Sequence, residues 1–298
     1  MARLITTTAL DNQFSVTALD TTDMVNEMIK IHNLSPLSSA TAGRALTIAT
    51  YMCSQFKSEE DKLSVTINGN GTAGHIVVCG NGKMEMRASI ENTCGDLPLK
   101  ANGKLDVGSF VGKTGKITVV KDIGLKEPYV GTCNLISGEL GEDFTAYFAY
   151  SEQIPTAIAV GVKIGTDLKC EGAGAVILQA LPGADDEHID KAEKIMNGLN
   201  NISTLVKEKP LEDVLIDSFG MDNLFYKEAK PVYKCLCSKE YIEKMLITLG
   251  FDELYDMIEK DGKIEVNCQF CRKTYDFYKE DIDRLKEENG KTQNEPTE

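Results

Sequence analysis

The chain has 298 residues, 42% of them hydrophobic, which gives length for two domains and enough apolar side chains to exclude a disordered polymer. Its net charge of −14 repels phosphate backbones, so nucleic acid is not an expected partner. No apolar run approaches the ~20 residues of a membrane span, and Met1-Ala-Arg-Leu-Ile-Thr-Thr-Thr8 lacks the basic-then-apolar plan of a signal peptide. A cytoplasmic protein with no membrane partner is therefore expected, with its nine cysteines reduced.

In chain order, 3–8 and 14–19 alternate in polarity and flank Asp11-Asn12, a β-hairpin pattern. Asp20-Thr-Thr22 offers caps for a helix ending near His32-Asn33, and Ser35-Pro36 opens a second helix. The apolar stripe of that second helix (Ala42, Ala45, Leu46, Ala49, Met52, Cys53) is widened by Ile48 and Tyr51, which predicts burial between layers. Strands follow at 63–67, 75–79, 83–87, 116–120 and 128–133, with turns at Asn68-Gly-Asn-Gly71 and Gly80-Asn-Gly82. Residues 142–153 have helical spacing, and 158–162 and 174–179 read as strands. Strands without regular alternation with helices predict an α+β body rather than a dinucleotide-binding sheet. The glycine-rich stretch 68–74 lacks the Gly-Lys-Ser/Thr ending of a phosphate loop and opens a strand, so it reads as a turn. The histidines His32 and His75 read as structural, and no nucleophile or metalloprotease pattern is present.

At Pro182-Gly183 the pattern becomes helical and amphipathic. Asp185-Asp-Glu187 places acids at the positive end of a helix through Ile189, Ala192, Ile195, Met196 and Leu199. Leu211, Val214, Leu215 and Phe219 make a shorter helix ended by Gly220. This stretch is too thin to hold a core of its own and reads as a docked connector. After it, Ser238 and Asp252 read as caps of two helices, and a charged helix spans 280–287. The division is then 1–183, an N-terminal mixed sheet-and-helix body; 184–232, an amphipathic helical linker; 233–288, a small C-terminal module that carries Cys235, Cys237, Cys268 and Cys271; and 289–298, a disordered polar tail.

The chemistry sits in the module. Cys235-Leu-Cys237 is answered by Cys268-Gln-Phe-Cys271, and the second pair lies between the alternating runs 263–267 and 272–277. That is a hairpin whose turn presents two sulfurs, while Cys235 and Cys237, at i and i+2 of an extended segment, can face the same ion. Four thiolates suit Zn²⁺ in a closed tetrahedral site. One zinc per chain, held by Cys235, Cys237, Cys268 and Cys271, is the expected cofactor. Such a site is structural or a sensor, because metal-held thiolates remain targets of oxidants and their loss removes folding energy from a marginal module. Cys53, Cys79, Cys94, Cys133 and Cys170 are scattered and read as packed free thiols.

The residues also carry a resemblance. Pro231-Val-Tyr-Lys-Cys-Leu-Cys-Ser238 and Gly262-Lys-Ile-Glu-Val-Asn-Cys-Gln-Phe-Cys-Arg-Lys-Thr-Tyr-Asp-Phe277 resemble the signature of the redox-regulated heat-shock protein 33 chaperones. Pro128-Tyr-Val-Gly131, Ser137-Gly-Glu139, Tyr147-Phe148, Ser151-Glu-Gln-Ile-Pro-Thr156 and Gln179-Ala-Leu-Pro-Gly183 match that family's landmarks in order, as does the stretch 32–46. Two departures concern a turn: Lys83-Met-Glu-Met-Arg-Ala88 replaces a usual Arg-Gly pair, and Thr72 a common proline.

The resemblance implies an ATP-independent holdase, not an enzyme, inactive when reduced and zinc-bound. It implies oxidation to the disulfides Cys235–Cys237 and Cys268–Cys271 with zinc release, loosening of module and linker, binding of unfolding client proteins under oxidative stress, and a homodimer when active. Three rival readings are a constitutive structural zinc module on an enzyme, which no catalytic constellation backs, a zinc-ribbon nucleic-acid-binding protein, disfavoured by the acidic charge, and a thiol–disulfide oxidoreductase. The active Cys-x-x-Cys of such an oxidoreductase would open a helix, whereas Cys268 and Cys271 lie between strands.

Overall fold

The computed structural model describes residues 1–221 and 224–292. The chain divides into two compact units, one from Met1 to Lys234 and one beginning at Cys235. The first contains β1 (Arg3–Ala9), β2 (Phe14–Asp20), α1 (Thr22–His32), α2 (Pro36–Ser54), β3 (Lys62–Asn68), β4 (Ile76–Asn81), β5 (Glu85–Ile90), α3 (Val107–Val111), β6 (Lys116–Asp122) and β7 (Tyr129–Asn134). It continues with α4 (Leu140–Tyr147), which runs into a π-helical turn over Phe148–Glu152, then β8 (Thr156–Ile164), β9 (Cys170–Ala180), α5 (Asp186–Gly198), α6 (Ile202–Glu208), α7 (Leu211–Phe219), β10 (Lys227–Ala229) and β11 (Val232–Tyr233). One sheet has the order β10-β1-β2-β9-β8 and the other β11-β5-β4-β3-β6-β7. The fold is α+β, as the segregated strand and helix patterns predict.

The helix α2 is the buried layer between the two sheets, packed on β4 and β5 of one and on β8 and β9 of the other. Its start is specified locally: Pro36 fills the first turn and the Ser35 hydroxyl accepts from the Ser38 amide. Its small residues let both sheets approach. A Cβ added at Gly43 would lie 3.1 Å from a Val162 methyl. The buried hydroxyls of Thr41, Thr47 and Thr50 each donate to the carbonyl four residues back, so none is left unpaired in the core.

Strand alternation buries the five-stranded sheet on both faces. Leu4, Leu19, Ala175 and Ile177 face the main core with α2. Ile5, Val16, Ala18, Val176 and Leu178 face a second core closed by Ala192, Met196, Leu199, Ile202, Val206, Leu211, Val214 and Leu215 of the stretch after residue 183. The amphipathic stripes of α5, α6 and α7 thus pack on one face of this sheet. The connector is not helical throughout, since it ends in β10, antiparallel to β1, and β11, parallel to β5.

A polar cluster fastens the start of this covering layer. The Asp185 side chain accepts from the His188 amide at 2.9 Å, as the cap of α5, and from the ring Nδ1 at 2.7 Å. The ring Nε2 lies 3.1 Å from Asp11 in the β1–β2 turn, and Gln13 donates to Asp185 at 2.9 Å. The His188 side chain is only 13% exposed. Hydrogen bonds to Asp185 and then Asp11 raise its pKa, against burial and Lys191. Gln13 and the His188 amide hold the Asp185 carboxyl below the usual carboxylate range. A raised histidine pKa contributes fully below its ordinary value and is lost as pH rises through the folded value; the depressed aspartate contributes above its ordinary value and is lost in acid. The cluster is therefore strongest between about pH 4 and about pH 6.5. The thermal-midpoint difference between wild type and His188→Gln is expected to shrink as pH is raised from about 6 to about 9, and a difference constant over that range would contradict the pairing.

Several local features differ from the sequence reading. The β4–β5 turn lies at 81–84 rather than 80–82, with Met84 at φ +55° and the Asn81 side chain accepting from the Lys83 and Glu85 amides. The glycine-rich stretch 68–74 is the β3–β4 connection, and its composition has a packing cause. Cβ atoms at Gly69 and Gly71 would lie 2.3 and 2.4 Å from backbone oxygens of 110–112, where Gly71 and Ala73 donate to Val111 and Phe110.

The second unit contains α8 (Lys239–Ile247), α9 (Phe251–Asp261), β12 (Ile264–Asn267), β13 (Thr274–Phe277) and α10 (Lys279–Thr292). Ser238 caps α8 by accepting from the Tyr241 amide. Asp252 is not the cap of α9 but lies in its first turn, after Gly250 at φ +92°. The core is small: Ile242, Leu246, Leu254, Ile264, Phe277, Ile282 and Leu285. The last helix extends past Asn289 to Thr292, so the start of the expected tail is helical; 293–298 lie outside the described residues.

Candidate metal centre

Two short backbone devices deliver the cysteines. Cys235 and Cys237 lie on the segment that leads directly into the Ser238 cap of α8, with Leu236 between them. Cys268 and Cys271 lie on the loop of the β12–β13 hairpin, whose last strand pair is Asn267 with Thr274. That loop is closed by the Cys268 amide donating to the Lys273 carbonyl and the Arg272 amide donating to the Cys268 carbonyl, both at 2.9 Å. Arg272 takes the left-handed conformation, φ +59°, that lets the chain reverse.

The four sulfurs converge. Cys235 Sγ is 3.6 Å from Cys268 Sγ, Cys237 Sγ is 3.3 Å from Cys271 Sγ, and all four lie within 4.8 Å of one another. Zn–S bonds of ~2.3 Å in a tetrahedron need sulfur–sulfur edges of about 3.8 Å, so the donor set and its spacing fit a metal ion. All four are half-buried. Burial raises the Cys235 and Cys271 thiols. At Cys237 burial is outweighed by hydrogen bonds from the Tyr275 hydroxyl and the neighbouring cysteines, which bring its pKa down to about 7. A thiol poised this way loses its proton to solvent readily and so offers a thiolate to a metal.

The Tyr275 contact was not anticipated from the sequence. Its hydroxyl lies 3.3 Å from Cys237 Sγ and 3.3 Å from the Cys237 carbonyl. A signal existed: Tyr275 and Phe277 alternate on one face of β13, and Phe277 is buried in the module core. Of the surrounding lysines, Lys239 pairs with Asp281 at 2.8 Å and Lys234 with Glu85 at 2.5 Å, so these two charges are spent locally.

The other five cysteines are not members of the cluster. Cys53 and Cys170 are buried, and Cys79 and Cys133 half-buried. Burial pushes Cys170 up to about 12 and Cys53 higher still, which leaves both as inert thiols. Cys94 corrects the expectation of packing for all five, because it is exposed on the loop after β5. Among the described residues no helix is long and apolar enough to cross a membrane.

Comparison with known proteins places the whole chain beside one family. The family model of the Hsp33 protein matches residues 2–278. The 33 kDa chaperonin of Clostridium perfringens strain SM101 is 40% identical over 293 residues, covering 97% of this chain and 93% of that protein. The 33 kDa chaperonin of Geobacillus sp. strain WCH70 is 40% identical over 95% of this chain and 97% of its own length. The crystal structure of the Thermotoga maritima 33 kDa chaperonin, a heat shock protein 33 homolog, superimposes with a TM-score of 0.87 at 33% identity, covering 97% of this chain and 99% of that one.

Proposed function

The chain belongs to the Hsp33 family, and on that premise we propose that it is a redox-regulated, ATP-independent holdase, active when its four clustered cysteines are oxidised. Membership makes it a chaperone, and chaperones bind client proteins; the regulation is carried by one observation, four half-buried thiols within 4.8 Å of one another. Cys235, Cys237, Cys268 and Cys271 hold one zinc ion in the reduced protein. The ion supplies a tetrahedral cross-link between the segment before α8 and the hairpin loop, in a module whose own core is small.

The chain's residues do the rest. Oxidation to Cys235–Cys237 and Cys268–Cys271 removes all four donors at once. Sequence neighbours remain close after the module loosens, whereas the partners across the cluster are separated by over thirty residues of chain. The helices α5 to α7 are short enough to be marginal on their own, and their release bares the face of the five-stranded sheet formed by Ile5, Val16, Ala18, Val176 and Leu178. This is the kind of apolar surface that unfolding clients engage. The functional division is body 1–183, linker 184–232, switch module 233–288 and tail 289–298. The active form is a homodimer working in the cytoplasm, with no catalytic residue.

The test is suppression of aggregation of a heat-unfolding client without nucleotide. Protein treated with peroxide under mild heating is expected to suppress it, and reduced, zinc-loaded protein is not. Equal suppression by both would remove the switch and leave the chaperone.

A further inference from the structure

The contact between Tyr275 and Cys237 has a role beyond packing. The ring packs at the margin of the module core, next to its cross-strand partner Val266, and the hydroxyl reaches out of that core to one sulfur of the cluster at 3.3 Å. The same oxygen is 3.3 Å from the Cys237 carbonyl. It has one proton to give, and a thiolate is the stronger acceptor. Phenylalanine at 275 would pack as well, so the core does not demand the hydroxyl.

We propose that Tyr275 is a positioning residue of the switch: its hydroxyl donates to the Cys237 thiolate, holds that sulfur in the metal-binding arrangement and shields it from oxidants. The inference rests on the zinc–thiolate reading of the cluster. Its chemistry is general. A hydrogen bond withdraws electron density from the sulfur lone pair that attacks an oxidant, and partners behind the ligands set ligand orientation and metal affinity. With hydrogen peroxide, a thiolate attacks one oxygen, the O–O bond breaks and hydroxide leaves, giving a sulfenic acid. A second thiolate attacks that sulfur and expels a second hydroxide. Two solvent protons convert both hydroxides to water, so two thiolates are oxidised and one peroxide is reduced. Tyr275 acts at the first attack, on Cys237 alone.

The experiment compares wild type with Tyr275→Phe in the full chain, both reduced and zinc-replete. Zinc affinity is measured by chelator competition, and oxidation of each cysteine by alkylation and mass mapping over a peroxide time course. Tyr275→Phe is expected to weaken zinc about 10-fold and to raise Cys237 oxidation relative to Cys268 several-fold. Val266→Ala loosens the same hairpin while keeping the hydroxyl, and is expected to leave the Cys237-to-Cys268 ratio at the wild-type value. A Tyr275→Phe protein with wild-type affinity and ratio overturns the role of the hydroxyl and spares the zinc site. The same shift of ratio in Val266→Ala overturns it in favour of packing. Wild type that holds no zinc overturns both this inference and the reading it rests on.

Discussion

The Cys268→Ser/Cys271→Ser double variant is expected to be purified without zinc and with its C-terminal module unfolded. Serine oxygen is a poor replacement for thiolate, and a tetrahedral site that loses two of four donors no longer closes. The energetic loss is large because structural zinc contributes on the order of 10 kcal/mol of apparent folding free energy to small modules, more than a module of about sixty residues holds in reserve. The residues that remain, Ile242, Leu246, Leu254, Ile264, Phe277, Ile282 and Leu285, are few for an independent core. Metal analysis of the purified protein and amide exchange at Leu254 and Phe277 check this. Unchanged zinc content would sink the ligand assignment. Serine at Cys53, Cys79, Cys94, Cys133 or Cys170 is expected to leave zinc content unaltered, since none of these belongs to the cluster.

What the sequence disclosed and what it hid divide along a physical line. The β1–β2 hairpin, the burial of α2, the cap at Ser238 and the hairpin carrying Cys268 and Cys271 are specified by residues within a few positions of one another, so alternation, capping and spacing suffice to read them. The convergence of Cys235 and Cys237 on that hairpin is long-range, but soft ligands at such spacing have few other uses in a reduced protein. The hidden features depend on partners distant in the chain. β10 is a strand because β1 offers an edge to residues 227–229, and β11 because β5 does. Strand β9 runs from Cys170 because β8 pairs with it there, Ile164 opposite Cys170, while Asn26 of α1 receives the Cys170 amide at 2.9 Å. The link from His188 to Asp11 and that from Tyr275 to Cys237 join side chains 177 and 38 positions apart. Periodicity carries no information at such separations.

Leu215→Ala is expected to give a protein that suppresses client aggregation while still reduced and zinc-loaded. Leu215 is fully buried, on the face of α7 that lies against β1 and β2. Truncating a buried leucine costs about 2–5 kcal/mol, and here the cost falls on the docked state of a helix that is marginal once released. At about 3 kcal/mol the undocked fraction rises on the order of 100-fold. The neighbouring ion pair of Arg3 with Glu212, at 2.7 Å and part-exposed, is worth ~0–1 kcal/mol, so Arg3→Ala is expected to act weakly in the same direction. Limited proteolysis separates local release from general damage. Leu215→Ala should be cut within 184–232 in the reduced state, while residues 1 to about 180 persist as a folded fragment, because the core around α2 does not include Leu215. Oxidised wild type should give the same fragment. A Leu215→Ala protein that is cut in the linker yet fails to suppress aggregation would show that the sheet face beneath α5 to α7 is not where clients bind. Cleavage appearing first within the 1–180 body would show that the linker is not the element that the switch releases.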